Sequence, residues 1–154
     1  IDDLPRIGVR WALPPQFDRV TWYGLGPVET YPDRRRGGWL GRHTQTVADQ
    51  YVPYVMPQEH GLHTETRWFE LRDSDRGGRA VRVTTPYAFS ALHHTPEQLT
   101  AALHDVDLVA HPATTVHVDV AHRGLGTASC GPDTLERYRI GAGRYRWTWS
   151  LAAR

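Results

Sequence analysis

At 154 residues the chain is long enough for one domain with a sizeable core, and 18 basic against 17 acidic residues leave a formal charge of +1. That balance gives no bulk electrostatic case for nucleic acid or an anionic membrane surface as partner. No apolar run approaches the ~20 residues of a membrane span, and the single cysteine, Cys130, excludes an internal disulfide. The expected setting is therefore a reduced, cytoplasmic one.

Every basic residue is Arg, a bias that points to no mechanism. No basic start followed by an apolar stretch marks a secretory leader, and Ile1 as first residue suggests a piece of a longer chain.

The dominant rhythm along the chain has period two. Ile7, Val9 and Trp11 alternate with Arg6, Gly8 and Arg10, as in a strand with one wet face. Val20 and Trp22 continue that logic up to Gly24, where a long Gly/Pro-bearing loop over 24–41 is expected. Two further strands are predicted over 62–71 and 80–85, joined as a hairpin through the polar stretch Asp73-Ser-Asp-Arg-Gly-Gly78. One helix follows: Thr95 suits the cap, Pro96 the first helical position, and Gln98 completes a capping-box spacing. Its apolar stripe is Leu99, Ala102 and Leu103. Val116, Val118 and Val120 share one face of another strand, opposite Thr115, His117 and Asp119. A second long loop is expected over 122–132. The pattern then predicts a hairpin of strands 135–140 and 144–151 about Gly141-Ala-Gly143, with Tyr145, Trp147, Trp149 and Leu151 giving the clearest alternation in the sequence. The fold class is all-β: one antiparallel β-sandwich domain over 1–154 with one short helix.

Few residues announce chemistry. Paired carboxylates suited to acid/base work are not evident among Glu29, Asp33, Asp49, Glu59, Glu65, Asp119 and Asp133, which are scattered over turns and strand edges. Asp33, in Tyr-Pro-Asp-Arg, reads as turn scaffolding. Of nine histidines, His60 and His63 flank Gly61 at a spacing that does not share a strand face, and His93 and His94 are adjacent. His117 and Asp119 do share a face, which suits a His–carboxylate hydrogen bond, but no third ligand completes a metal site. Cys130 sits in a glycine-bearing loop, Gly124-Leu-Gly-Thr-Ala-Ser-Cys-Gly-Pro132, without a cysteine-hydrolase signature. Arg34-Arg-Arg36 reads as a solvated or docking loop rather than a phosphate site. Trp39 and Trp68 are the aromatic faces that could stack on sugars, a core role being the plainer reading for Trp68.

Two stretches are more specific than any of these: Trp22-Tyr-Gly-Leu-Gly-Pro-Val-Glu-Thr-Tyr-Pro-Asp-Arg34 and Tyr51-Val-Pro-Tyr-Val-Met-Pro-Gln-Glu-His-Gly61. With Leu4-Pro-Arg-Ile-Gly8, Phe89-Ser90, Asp119, Gly124-Leu-Gly126 and Gly143-Arg-Tyr145, they make nearly the whole chain resemble the C-terminal domain of family-two β-galactosidases. The resemblance implies the later part of an antiparallel supersandwich related in fold to galactose mutarotases. It places both catalytic glutamates in a separate TIM-barrel domain, so no catalytic residue is expected here. It also implies a loop that reaches the active-site rim, where some members present Trp to the sugar beyond the galactose. In this chain that position is Cys130, with His122 and Ser129 as neighbours on the same edge. A thiol lacks the flat stacking face of an indole, so the acceptor contact is weakened or supplied elsewhere. The family's magnesium and monovalent cation are held mostly by the barrel, and no metal ligand carries over to this chain. Implied partners are the rest of a β-galactosidase chain, a β-galactoside substrate and further copies of the parent in a homo-oligomer. Two alternatives remain open at this point: a free-standing carbohydrate-binding module using Trp39, and an aldose epimerase-like enzyme using His117 and Asp119.

Overall fold

The computed structural model describes residues 3–75, 78–127 and 131–154. Their strands form two antiparallel sheets that face one another across a shared core. The larger sheet has the order β3-β2-β4-β5-β8, from β2 (Phe17–Gly26), β3 (Trp39–Thr46), β4 (Trp68–Asp73), β5 (Ala80–Thr84) and β8 (Ser150–Ala153). The smaller has the order β1-β7-β6, from β1 (Arg6–Leu13), β6 (Ala88–Leu92) and β7 (Thr114–His122). The β-sandwich read from the alternation is the fold observed.

Period two decides which side chains meet. Val20, Trp22, Phe69, Leu71 and Val83 point inward from the larger sheet, and Phe89, Ala91, Val116 and Val118 from the smaller. Phe69 and Phe89 stack across the interface, ring centres 4.2 Å apart and planes within 9°, an arrangement that adds specificity to the area buried. A register shift between Phe17 and Arg19 opposite β4 lets both Phe17 and Val20 face inward although they lie three residues apart. A similar shift between Ile7 and Gly8 bends β1 against β7.

The outer face of the three-stranded sheet is also covered. Ala88 packs there with Tyr31 and Leu62 in a second small core that Leu125 closes. Ser90, His117 and Asp119 on that face are buried as well. A sandwich sheet covered on its second face has no wet side, and this is why β6 (AFSAL) shows no alternation and escaped the pattern reading.

The helix forms as expected. α1 (Pro96–Ala101) starts at Thr95, whose hydroxyl accepts from the Gln98 amide while the Gln98 side chain returns to the Thr95 amide. Leu99 and Ala102 are buried, but Leu103 is exposed, because the chain is already extended at Ala102 and the helical stripe ends there.

Other expectations are corrected. The segment 135–140 is a 3₁₀ turn at Glu136–Tyr138, not a strand. Of 144–151 only Ser150 and Leu151 enter β8, because β5 ends at Thr84, opposite Ser150, and pairing stops with it. Trp149 instead stacks on Trp11 at 5.4 Å. The strand expected over 62–71 begins only at Trp68: His63 makes one bridge to Phe89, and Glu65 (φ 55°) turns the chain away. The loop expected over 24–41 is present over 27–38, and beyond it the chain forms β3, an edge strand along β2 that the pattern did not predict. Among the described residues no helix is long and apolar enough to cross a membrane.

Candidate functional site

β7 ends at His122 and hands the chain to Arg123-Gly124-Leu125-Gly126, the first shoulder of the glycine-bearing loop. What holds that shoulder is Asp33. Its carboxylate accepts from the backbone N–H of Leu125 at 3.2 Å and of Gly126 at 2.8 Å. The approach is so close that a Cβ on Gly124 would lie 2.6 Å from Asp33 Cγ. Gly126 has φ +62°, and a Cβ there would meet the Thr134 backbone N at 2.6 Å. Both glycines are therefore demanded by backbone approach and conformation.

Arg123 ties the two shoulders together. Its guanidinium donates to Asp3 at 2.7 Å, to both oxygens of Asp133 at 2.8 and 2.9 Å, and to Thr134 Oγ1 at 2.7 Å. Thr134 Oγ1 in turn donates to Gly124 O at 2.8 Å. Nearer the tip, Gly131 N donates to Thr127 O at 2.6 Å. Ser129 and Cys130, two of the three rim residues expected from the sequence, lie outside the described residues.

His122, the third, is described and lies beneath the loop. Its side chain is 5% exposed. Nδ1 donates to Arg123 O at 2.7 Å, and Nε2 lies 3.5 Å from Glu59 Oε1. The edge of Tyr31 packs on the imidazole, ring centres 5.3 Å apart, and Tyr31 OH donates to Glu59 Oε1 at 3.4 Å. Arg6 completes the cluster, donating to Glu59 at 3.3 Å and to Asp119 Oδ2 through Nε and Nη2 at 3.2 and 2.6 Å. A cavity of about 200 Å³ between Pro5, Glu59, His122 and Leu125 opens beside it.

The charges in this cluster are mutually held. Burial pushes the Glu59 carboxyl up, but the His122 hydrogen bond and the Arg6 guanidinium outweigh it and hold it at about 2. Burial raises the Asp119 carboxyl against the opposing pull of Arg6. Burial, reinforced by Arg6, holds His117 down at about 3, so that imidazole is neutral at physiological pH.

The remaining candidates fall elsewhere. His117 and Asp119 share the outer face of β7 but do not bond one another: Asp119 takes Arg6, and His117 Nδ1 meets Ser90 Oγ at 3.3 Å. The hydrogen bond expected between them is thus displaced by a stronger charged partner. Trp39 is 61% exposed on the edge strand, edge-on to His43. The Trp68 ring is half-buried and already covered by the Arg82 guanidinium, 3.8 Å from its centre. His60 Nδ1 donates to Gln58 O, and His63 bonds Gln50, so the pair does not converge. Among the described residues no three His, Cys, Asp or Glu side chains are grouped to hold a metal ion. Arg34 and Arg35 spend their charge on Glu29 and Glu65. The carboxylates have structural partners: Glu29 accepts from Gly61 N and Tyr54 OH, Asp49 bonds Thr46, and Asp133 bonds Arg123 and Arg139.

Arg6 was missed as a functional candidate. The signal was present: an Arg on the polar side of β1 and Glu59 inside the Pro57-Gln-Glu-His-Gly61 motif are both charged residues in stretches that turns alone do not require.

Residues 2–151 match the protein family described as "Beta galactosidase small chain". The chain is similar to a β-galactosidase of Staphylococcus xylosus, 34% identical over 96% of this chain and 15% of that protein. It is similar also to those of Photobacterium profundum (33% identical, 98% of this chain and 14% of that protein) and Arthrobacter sp. strain B7 (37%, 89% and 14%). The chain therefore spans about one seventh of the length of the curated relatives it matches. On this match along nearly its full length, the chain belongs to the β-galactosidase small-chain family.

Proposed function

We propose that this chain is a non-catalytic β-sandwich domain, the later part of a larger supersandwich, in a retaining β-galactosidase. In this reading it shapes the active-site rim through the 123–134 loop and takes part in assembly of the enzyme. The observation that carries the proposal is the construction of that loop: Asp33, Arg123 and two obligatory glycines fix both shoulders of the segment bearing Ser129 and Cys130. Shoulders anchored so closely give the loop a fixed base beside His122. His122 supports the same edge from below, through the Glu59–Arg6 cluster. The catalytic carboxylates, the magnesium and the monovalent cation belong, in this proposal, to the rest of a cytoplasmic, homo-oligomeric parent that hydrolyses terminal β-D-galactosides.

The test is direct. The purified 154-residue chain should show no hydrolysis of a chromogenic β-galactoside above the buffer rate. Turnover abolished by one point mutation within this chain would overturn the non-catalytic assignment. The exposure of Trp39 favours a second reading, direct carbohydrate binding by the chain, which lactose titration of wild type and Trp39→Ala separates from the first.

A further inference from the structure

The clearest alternation in the sequence finds no partner over most of its length. Tyr145, Trp147, Trp149 and Leu151 alternate with Arg144, Arg146, Thr148 and Ser150, yet only the last two residues of that stretch enter β8. Between Gly141 and Trp149 no backbone–backbone hydrogen bond is made among the described residues. A segment whose local pattern asks for a strand, left extended and unpaired, lacks the edge it was built for.

The two sides of the sandwich differ. On the β6 side the segment 63–66 closes it: His63 and Phe89 exchange backbone bonds at 2.8 and 3.1 Å, Thr66 N donates to Tyr87 O, and Leu25 N of β2 donates to Thr64 O. On the other side lie the free edges of β1 and β8, brought together where Trp11 stacks on Trp149. Among the described residues, no backbone bond reaches Arg6–Leu13 except from β7, or Ser150–Ala153 except from β5.

The larger sheet has five strands against three, so β8 overhangs its partner sheet. Leu151 stands opposite Val83, which is fully buried, and so points to the core side, yet it is 50% exposed. The ladder also fixes which backbone groups are spare. Ala80 and Arg154 exchange both bonds, at 2.7 and 2.8 Å, so by alternation Leu151 and Ala153 turn their N–H and C=O away from β5. The edge Ser-Leu-Ala-Ala carries no charge or proline, the devices that blunt a free edge. Arg144, Arg146 and Arg154 are exposed and have no ion-pair partner among the described residues. A second copy of this edge would set arginines against arginines, which is unfavourable across paired strands.

We propose that this open side receives a β-strand of the parent chain from outside these 154 residues. It pairs along 144–153 through the Leu151 and Ala153 backbone, sets apolar side chains beside Leu151 and turns acidic residues toward the three arginines. The proposal rests on the reading of this chain as part of a larger β-galactosidase sandwich, and it names the side on which that sandwich continues. Relatives about seven times longer than this chain leave ample length to supply the strand.

Hydrogen exchange resolved to single amides, on the full-length parent and on the 154-residue chain, tests it. In the parent, the Leu151 and Ala153 amides should exchange at least about 100-fold slower than unstructured backbone; in the dilute isolated chain they should stay within about tenfold of it. In the parent, Leu151→Asp should speed both amides at least about tenfold, Leu151→Ala should act in the same direction should Leu151→Asp fail to fold, and Arg146→Glu should speed them several-fold. Fast exchange of both amides in the parent, or equal protection in the dilute isolated chain, would overturn the proposal. Protection of the isolated chain that rises with its concentration would make the occupant a second copy instead, and slower exchange in Arg146→Glu would overturn the acidic character of the strand. Hydrolysis by the isolated chain would sink the non-catalytic reading without touching this protection, so the two failures are distinguishable.

Discussion

The chain should lose about 4 kcal/mol of stability between pH 7 and pH 5, a large share of the roughly 5–15 kcal/mol margin of an ordinary domain. Two buried imidazoles cause the loss. His63, 1% exposed among Trp22, Phe89 and Gln50, is held at about 3 by burial, despite the opposing pull of the Leu25 carbonyl. His117 is held at about 3 by burial together with Arg6. Both have folded-state values below the ordinary 6.5, so in the window from about 6.5 down to about 3 the unfolded chain takes up protons that the folded chain refuses. Stability therefore falls with pH throughout that window. At pH 5 each imidazole withholds about 2 kcal/mol, from 1.36 kcal/mol per unit. Below 4.5 Glu59 adds to the loss as its carboxyl is forced to protonate, while Asp119, shifted the other way, partly offsets it. Urea unfolding followed at pH 7, 6 and 5 measures the effect. His63→Gln should reduce the slope by about half, and a profile flat from pH 7 to pH 5 would show that these imidazoles are not buried neutral.

Arg6→Ala should be the most damaging single change in the polar cluster, costing about 3–5 kcal/mol. It removes the one guanidinium that, among the described residues, bonds Asp119, and that also binds Glu59, leaving both carboxylates without their shared cation. Little water reaches Asp119 to replace the lost partner. Most of the cost is the stranded charge rather than the lost contact, so Arg6→Ala combined with Asp119→Asn should recover part of it. Chemical denaturation of the single and double variants measures both. A loss under about 1 kcal/mol in Arg6→Ala would mean that Asp119 is reached by solvent or bound by another cation.

These two residues illustrate what was legible in the sequence. The sandwich could be read because Val9, Val20, Trp22, Val116 and Val118 sit in strands with an alternation that one core face imposes. The helix could be read because Thr95, Pro96 and Gln98 are local chemistry, independent of tertiary context. β6 could not, since burial on both faces erases the period, and the Tyr145–Leu151 alternation misled because pairing needs a partner edge and β5 ends opposite Ser150. Likewise Arg6, Glu59, Asp119 and His122 are spread over more than a hundred positions; the β1–β7 register sets Arg6 opposite His122, and the segment before β4 brings Glu59 to them. The glycine loop was visible as a loop, but its dependence on Asp33, some ninety residues away, was not.

The rim proposal meets its most direct measurement in Cys130→Trp within the full-length β-galactosidase, comparing transfer to an acceptor sugar with inhibition by galactose. An indole in place of the thiol should change acceptor partitioning about fivefold, the effect of one aromatic contact of ~1 kcal/mol. Galactose inhibition should stay nearly constant, because the proposal puts that sugar in a site made elsewhere in the parent chain. Unchanged acceptor partitioning, or galactose inhibition that moves with it, would contradict a place for this loop at the acceptor side of the rim.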